Sequence, residues 1–226
     1  MDHPHIIPVY EAGDAAGQLF IAMRYVQGGD VRSLLRRLGV LPAGRAWSII
    51  ARVAAALDAA HARGLIHRHV KPANMLLDAV SEPGAPPPRL PDGHSEHMYL
   101  SDFGISKQAV SSDLTSSGEF VGTLDYIAPE QLDGRVLDGR TDLYSLACAS
   151  FELLCGTPPF RRDRGLALSY AQLREVPPSL AARRAALPTG VDRVLARALA
   201  GTPADRYASC AGRPAGGAHR AARQYS

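Results

Sequence analysis

One long apolar segment constrains the fold more than any other part of the chain. Residues 142–156, DLYSLACASFELLCG, are apolar on most sides rather than along a single stripe. A helix of that composition is stable where neighbouring elements cover it all round. The segment therefore predicts a helix buried in the middle of a helical domain, ending where PPF, residues 158–160, follows.

Four other segments predict helices around that central one. Asp30 is placed to cap a short helix that ends near Gly39. A longer helix is expected over residues 46–63, because its apolar residues recur at steps of three and four and Gly64 supplies a stop. The last two helices are expected around residues 167–174 and 191–200.

Short strand-like segments precede and separate these helices. Residues 6–13 and 18–26 are separated by DAAG, which predicts two antiparallel strands joined by a turn. Further β segments are expected around Ile66 and at residues 75–77 and 98–100. A small sheet followed mostly by helix predicts the α+β class, with the helices segregated.

Three segments are expected to contribute nothing to a core. Residues 79–97 are rich in Pro, Gly and polar side chains, which predicts a loop inserted in the domain. Residues 106–123 are rich in Ser and Thr and flexible in composition. Residues 211–226 contain no Val, Ile, Leu, Met or Phe, which predicts a disordered tail.

Composition narrows the class of protein. The chain has 25 basic and 22 acidic residues and shows no concentrated basic face, so a nucleic-acid partner is not expected. No segment reaches the ~18 apolar residues of a membrane span, and the N-terminus does not resemble a signal peptide. Three cysteines without C-x-x-C spacing argue against a disulfide framework and a zinc site. The chain is therefore expected to be cytoplasmic.

Two neighbouring motifs carry side chains suited to phosphoryl transfer from ATP. In HRHVKPANMLL and LSDFG, Asn74 and Asp102 are hard oxygen ligands of the kind that Mg²⁺ prefers. Lys71 is a compact charge that could reach a transferring phosphate. Gly104, after Phe103, gives the backbone freedom that a mobile switch needs. Together these groups predict a site for a magnesium-bound phosphate donor.

Four motifs in one order resemble the eukaryotic-type Ser/Thr protein kinases found in bacteria. The catalytic-loop pattern H-R-D-x-K-x-x-N is matched by HRHVKPAN, and DFG, APE and DLYSL follow it. Any one motif alone is weak, but four in order are specific. The resemblance implies a protein-kinase-like fold, mainly a helical C-lobe, with a remnant of the N-lobe sheet. It also implies ATP and Mg²⁺ as cofactors and a protein as substrate.

The resemblance assigns one group of residues to nucleotide binding. Met23 would be the gatekeeper, and the backbone of Arg24 and Val26 would form the hinge that binds adenine. Leu76 would lie under the adenine. Asp30 has two alternative roles: it would contact the ribose, or it would serve only as a helix cap.

A second group would act in catalysis and its regulation. His69 stands where the family carries its catalytic aspartate, and Asn74 and Asp102 would hold the metal. Lys71 and Thr123 match the Ser/Thr-specific pattern. Arg68 would clamp a phosphorylated activation loop, although a solvated loop without phosphorylation is an open alternative. The candidate acceptors in that loop are Thr115, Ser116 and Ser117.

A third group would be structural. His67 and Phe103, together with Val9, would belong to the packed spine that joins the lobes. Asp142 opens the buried helix. Glu130 and Arg206 would form a buried ion pair that anchors the substrate lobe.

The sequence departs from the family at three places. His69 replaces an aspartate that accepts the proton of the substrate hydroxyl. The resemblance begins at His3. The family carries a G-x-G-x-x-G loop before that point, and these 226 residues contain no such loop. After DRYAS, residues 211–226 lack the apolar helix that the family would continue with.

These departures predict a Ser/Thr protein kinase family member that is catalytically impaired as it stands. Residues 1–26 would be the remnant of the N-lobe with two strands and the hinge, and residues 27–210 the C-lobe. The alternatives are a pseudokinase that acts as a scaffold for protein partners and a truncated gene product without function.

Overall fold

Two small antiparallel sheets adjoin a group of helices in the computed structural model, which describes residues 1–78, 96–103, 124–162 and 165–211. In the first sheet β1, Val9–Ala15, pairs with β2, Gln18–Met23. In the second, β3, Met75–Asp78, pairs with β4, His97–Leu100. The predicted α+β class is confirmed.

Helices make up most of the described chain after β2. None of the helices in the described ranges is long and apolar enough to cross a membrane. Two short 3₁₀ turns cover Pro72–Asn74 and Pro203–Asp205. The α-helices are α1, Val31–Leu38; α2, Ala43–His61; α3, Pro129–Leu132; α4, Gly139–Cys155; α5, Gly165–Arg174; α6, Leu180–Arg183; and α7, Gly190–Ala198.

Helix α4 is the buried centre of the helical part, as its composition predicts. Its side chains from Thr141 to Leu154 are buried except for Glu152, and the main apolar core forms around it. The helix begins three residues earlier than expected, because the Asp138 carboxylate accepts a hydrogen bond from the Arg140 amide. It ends at Gly156, whose φ of 80° stops the helix before the prolines that follow.

Helix α2 lies against α4 and supplies the other half of the core. Val53, Ala54 and Leu57 are buried, as predicted for one apolar stripe, whereas Trp47 and Ile50 are half-buried at its margin. The helix has 19 residues, one more than predicted, and it begins three residues and ends two residues earlier in the chain than expected.

The strand predictions need corrections. β2 ends at Met23 and not at residue 26, and β1 includes Asp14 and Ala15 of the predicted turn. Residue Ile6 is not part of β1; it bridges to Leu100, and the Ile7 amide donates to the Leu100 carbonyl at 3.0 Å, so the N-terminal segment lies along β4. Ile66 is not in a strand. The backbone amide of the next residue, His67, donates a hydrogen bond to the Asp142 carboxylate and not to a neighbouring strand.

The prediction that residues 79–97 form a loop outside the core is wrong at the C-terminal end of that range. Glu96 is buried, and its carboxylate accepts a hydrogen bond from Arg45 Nε at 2.9 Å. His97 begins β4. The rest of that loop, residues 104–123 and residues 212–226 of the expected tail lie outside the described residues.

Candidate active site

The buried carboxylate of Asp142 fixes the start of the catalytic-loop motif. It lies in the first turn of α4, and its Oδ2 accepts hydrogen bonds from His61 Nε2 at 2.7 Å and from the His67 amide at 2.8 Å. Its Oδ1 accepts from the Arg68 amide at 2.7 Å. Arg68 has a φ of 71°, an unfavourable backbone conformation that these bonds help to hold.

His67 joins this loop to the end of β4. The ring is fully buried, and its Nε2–H donates to the Ser101 carbonyl at 2.8 Å. It packs edge-on against Phe103, with 4.6 Å between ring centroids. Burial lowers the pKa of His67, so the ring is neutral. Val9, expected in the same stack, is 56% exposed on β1 and lies outside the buried core.

His69 is held by its backbone, with its side chain partly enclosed. Its amide donates to His67 Nδ1 at 3.2 Å, and its carbonyl accepts from Asn74 Nδ2 at 2.8 Å. Its Nε2 is buried and has no hydrogen-bond partner among the described residues. Burial is the largest cause that lowers the pKa of His69, and the positive charge of Lys71 lowers this pKa further. The imidazole is therefore uncharged near neutral pH.

A small cavity of about 10 Å³ is lined by His69, Lys71 and Tyr126, among others. That volume is enough for about one water molecule. His69 and the half-buried Lys71 therefore adjoin the same cavity.

The two candidate magnesium ligands lie in neighbouring segments that hydrogen bonds connect. Asn74 uses its Nδ2 on the His69 carbonyl, which leaves Oδ1 as the amide oxygen for a cation. The Asn74 carbonyl accepts from the Ser101 amide at 2.9 Å and from Ser101 Oγ at 3.2 Å. Asp102 follows Ser101, is exposed, and has a φ of 63°. An amide oxygen and an exposed carboxylate fit Mg²⁺.

The expected hinge follows the end of β2. Met23 pairs with Val9, and the next amide, on Arg24, donates to the Pro8 carbonyl at 3.0 Å. The Arg24 guanidinium lies 3.6 Å from a carboxylate oxygen of Asp78. Val26 is half-buried. The segment is thus tied back to the protein on one side, and its contact with adenine stays a prediction.

Asp30 caps helix α1 with both of its carboxylate oxygens. Oδ1 accepts from the Ser33 amide at 2.8 Å and Oδ2 from Ser33 Oγ at 2.9 Å. Asp30 also forms a β-bridge with Leu76, so these two residues are neighbours near the hinge. Of the two alternatives for Asp30, the geometry supports the cap, and a ribose contact stays a prediction.

The structure brings Glu130 and Arg206 together in a buried, two-pronged ion pair. Arg206 Nη1 and Nη2 lie 2.7 and 2.8 Å from the two carboxylate oxygens. Thr141 Oγ1 donates to the same carboxylate at 2.9 Å. Burial alone would raise the pKa of Glu130, but the hydrogen bonds and charge of Arg206 hold it below its ordinary value.

The structure does not cover part of the predicted regulatory machinery. Thr115, Ser116, Ser117 and Thr123 lie outside the described residues, as does Gly104. Their suggested relation to Arg68 therefore stays a prediction.

Sequence reasoning missed three residues that position this site. Gln131 Nε2 donates to the Arg68 carbonyl at 3.0 Å, and Ser101 and His61 make the contacts described above. No local pattern connects Gln131 or His61 to the loop, because the contacts form only when α2, α3 and α4 pack together. Ser101 precedes DFG, so its position beside a motif was the one available signal.

Comparisons with known proteins agree with this arrangement. A family model described as the protein kinase domain matches residues 1–208. The chain is 40% identical over 221 residues to the serine/threonine-protein kinase PknH of Mycobacterium bovis. The matched region covers 98% of this chain and 34% of that protein. It is 41% identical over 211 residues to the serine/threonine-protein kinase PknJ of the same species, a match that covers 92% of this chain and 34% of that protein.

A third relative, PknD of Mycobacterium tuberculosis, is 40% identical over 210 residues, 92% of this chain and 29% of that protein. The chain spans about a third of the length of the curated relatives it matches. The family model covers nearly all of the chain, and the matched region contains every motif of the site. The chain therefore belongs to the protein kinase domain family.

Proposed function

We propose that the chain is the hinge and helical part of a Ser/Thr protein kinase in which phosphoryl transfer is impaired. The observation that carries this proposal is the state of His69: a neutral ring whose Nε2 is buried without a partner among the described residues. The same loop keeps Lys71, Asn74 and the buried anchor Asp142.

The proposed roles follow from the groups that each residue leaves available. Asn74 Oδ1 and the Asp102 carboxylate would hold Mg²⁺, and ATP would supply the phosphoryl group when bound. Lys71 would place its charge beside the transferring phosphate. The hinge at Arg24 and Val26 would orient the nucleotide by its adenine.

His69 is a poor replacement for an aspartate at this position. A carboxylate accepts the hydrogen bond of the substrate hydroxyl and carries a negative charge that favours removal of its proton. The imidazole is neutral, and its lowered pKa makes it a weaker proton acceptor. If protonated, it would place a positive charge beside the metal site and could not act as a base.

A second deficit lies in what the 226-residue sequence contains. It has no G-x-G-x-x-G loop to cover the phosphates. Positioning and charge stabilisation do most of the work in phosphoryl transfer, so a chain without that loop should be slower by orders of magnitude.

A second candidate function is the binding of a protein partner without catalysis. Several large apolar side chains on and beside the first sheet favour it, because they are exposed and apolar surface of this kind often marks contact sites. They are Val9, Tyr10, Leu19, Phe20, Ile21 and Tyr25.

Reversion of the loop tests the proposal that two deficits act together. We expect His69→Asp to leave phosphate incorporation far below that of a working kinase, because these 226 residues contain no G-x-G-x-x-G loop. The assay follows labelled phosphate from ATP into a mixed protein substrate, with circular dichroism as the check on folding. Normal turnover in His69→Asp would contradict the second deficit and leave His69 as the sole cause.

A further inference from the structure

A cluster of three potential metal ligands lies on the side of α2 that faces the last described residues. It consists of Asp58, His61 and Cys210, whose ligand atoms all lie within 4.8 Å of one another. Asp58 and His61 stand three residues apart on α2, so their side chains share one face. Cys210 is distant in the chain and reaches them only in the folded protein.

The ring of His61 is oriented as in metal sites. Its Nε2 lies 2.7 Å from Asp142 Oδ2, so the proton is on Nε2 and Nδ1 carries the free lone pair. Histidines that bind metals commonly donate their other ring N–H to a carboxylate in this way. Nδ1 lies 4.0 Å from Asp58 Oδ1, which is too long for a hydrogen bond.

The cluster adjoins open space beside helix α2. A Cβ at Gly139 would lie 2.6 Å from His61 Nδ1 but also 2.9 and 3.0 Å from Cε1 and Cγ, so Gly139 packs over the face of the ring and not in front of the Nδ1 lone pair. A cavity of about 410 Å³ adjoins the cluster and is lined by Asp58, His61 and Gly139, among others. A hydrated cation therefore has an entry path.

The C-terminal end of the described chain is already folded onto this cluster. The Asp58 carboxylate accepts hydrogen bonds from the Cys210 amide at 2.7 Å and from the Ala211 amide at 2.8 Å. Burial, followed by the charge of Asp58, raises the pKa of the Cys210 thiol above its usual range.

We propose that Asp58, His61 and Cys210 form a Zn²⁺ site that fastens residues 207–211 to helix α2. One thiolate, one imidazole and one carboxylate suit zinc, with water as the fourth ligand. Zinc requires ligand distances of ~2.0–2.3 Å, so binding would draw the three ligand atoms closer together than they lie in this structure.

The site connects to the catalytic loop through a single residue. Asp142 accepts hydrogen bonds from His61 on one side and from the amides of His67 and Arg68 on the other. A cation on His61 Nδ1 fixes the ring and so fixes this carboxylate. Zinc would therefore stiffen the loop as well as the end of the chain.

Sequence reasoning argued against a zinc site because the cysteines lack C-x-x-C spacing. That argument excludes only sites built from paired cysteines. A site with one cysteine and two ligands more than 140 residues away leaves no local pattern to detect.

Cobalt titration of the reduced, metal-free chain tests the proposal. We expect one equivalent of Co²⁺ to produce a thiolate-to-cobalt charge-transfer band, and Zn²⁺ to remove the band by displacement. Cys210→Ser should abolish the band, and Asp58→Asn should weaken binding by about tenfold or more. Cys155→Ser, which changes a half-buried cysteine outside the cluster, is the matched control and should bind like the parent.

A second readout keeps the result independent of folding defects. Zn²⁺ should raise the thermal midpoint of the parent and of Cys155→Ser, because it binds the folded state, but not that of Cys210→Ser. Absence of a charge-transfer band in the parent overturns the proposal. A band that persists in Cys210→Ser, or that disappears in Cys155→Ser, overturns it as well. Should Cys210→Ser fail to fold, unchanged cobalt affinity in Asp58→Asn overturns it.

Discussion

At the scale of single residues, the catalytic loop keeps its backbone geometry and changes one side chain. The His69 amide donates a hydrogen bond to His67 Nδ1, and the His69 carbonyl accepts one from Asn74 Nδ2. Neither bond depends on the side chain of residue 69. An aspartate could occupy the same backbone position with these bonds intact. The substitution therefore alters the chemistry of the loop without altering how the loop is held.

We predict that the His69 ring titrates below its ordinary value of 6.5 in the folded chain. Burial disfavours the imidazolium, so the folded state takes up this proton less readily than the unfolded state. Stability from this residue is therefore lost as pH falls below 6.5. Side-chain NMR measures the midpoint, with His69→Gln for assignment and the urea-unfolded chain as reference. A folded-state midpoint at or above the unfolded one would contradict this.

We predict that Arg206→Ala destabilises the chain by about 3–5 kcal/mol, because it leaves the buried Glu130 carboxylate without its cation. Urea unfolding measures the loss. The matched control is Arg135→Ala, which breaks a 2.8 Å pair with Asp133 whose arginine is 68% exposed. That change should cost about 1 kcal/mol or less.

The same pair fixes a pH dependence. Its stabilisation is present above the ordinary Glu pKa of 4.5 and is lost as pH falls through the lower folded-state value. The difference between Arg206→Ala and the parent should therefore shrink as the pH falls from above 4.5 through the lower folded-state pKa of Glu130. A difference that stays constant would mean that Glu130 is not the group left unpaired.

At the scale of elements, helix α1 shows how one residue can be assigned two roles. Asp30 begins the helix, and both of its carboxylate oxygens are bonded to Ser33. Gly39 ends the helix with a φ of 76°. The element is complete as a capped helix, and the cap alone accounts for an acidic residue at this position.

We predict that Asp30→Ala destabilises the chain by about 0.5–2 kcal/mol, whereas Asp30→Ser costs much less because serine also caps helices. Thermal or urea unfolding gives both values. Affinity for magnesium-bound nucleotide, measured by calorimetry, should be similar in Asp30→Ser and the parent. A large loss of nucleotide affinity in Asp30→Ser, at unchanged stability, would favour the ribose contact over the cap.

At the scale of the whole molecule, the sequence predicted what depends on local pattern. The buried helix α4 follows from its apolar composition, and the approximate length of α2 and the pairing of β1 with β2 follow from periodicity and turn residues. The motifs HRHVKPAN, DFG and APE predicted which residues lie in and beside the catalytic loop. These features have signals within a few residues of each other.

The remainder depends on contacts between distant segments. Glu96 sits in a stretch whose composition predicts a loop, yet it is buried because Arg45 on α2 reaches it. Ile66 has the residue type of a strand, but Asp142 takes the hydrogen bond that a strand would use. The cluster of Asp58, His61 and Cys210 is invisible for the same reason. Tertiary contacts override local preference at each of these places.

We propose that this member of the protein kinase family holds the frame of the site but transfers phosphate poorly. The most direct test is incorporation of labelled phosphate from ATP by the purified 226-residue chain with Mg²⁺, beside Asp102→Ala. The account predicts that the parent incorporates no more phosphate than Asp102→Ala. Robust Mg²⁺-dependent incorporation by the parent that Asp102→Ala abolishes would contradict it.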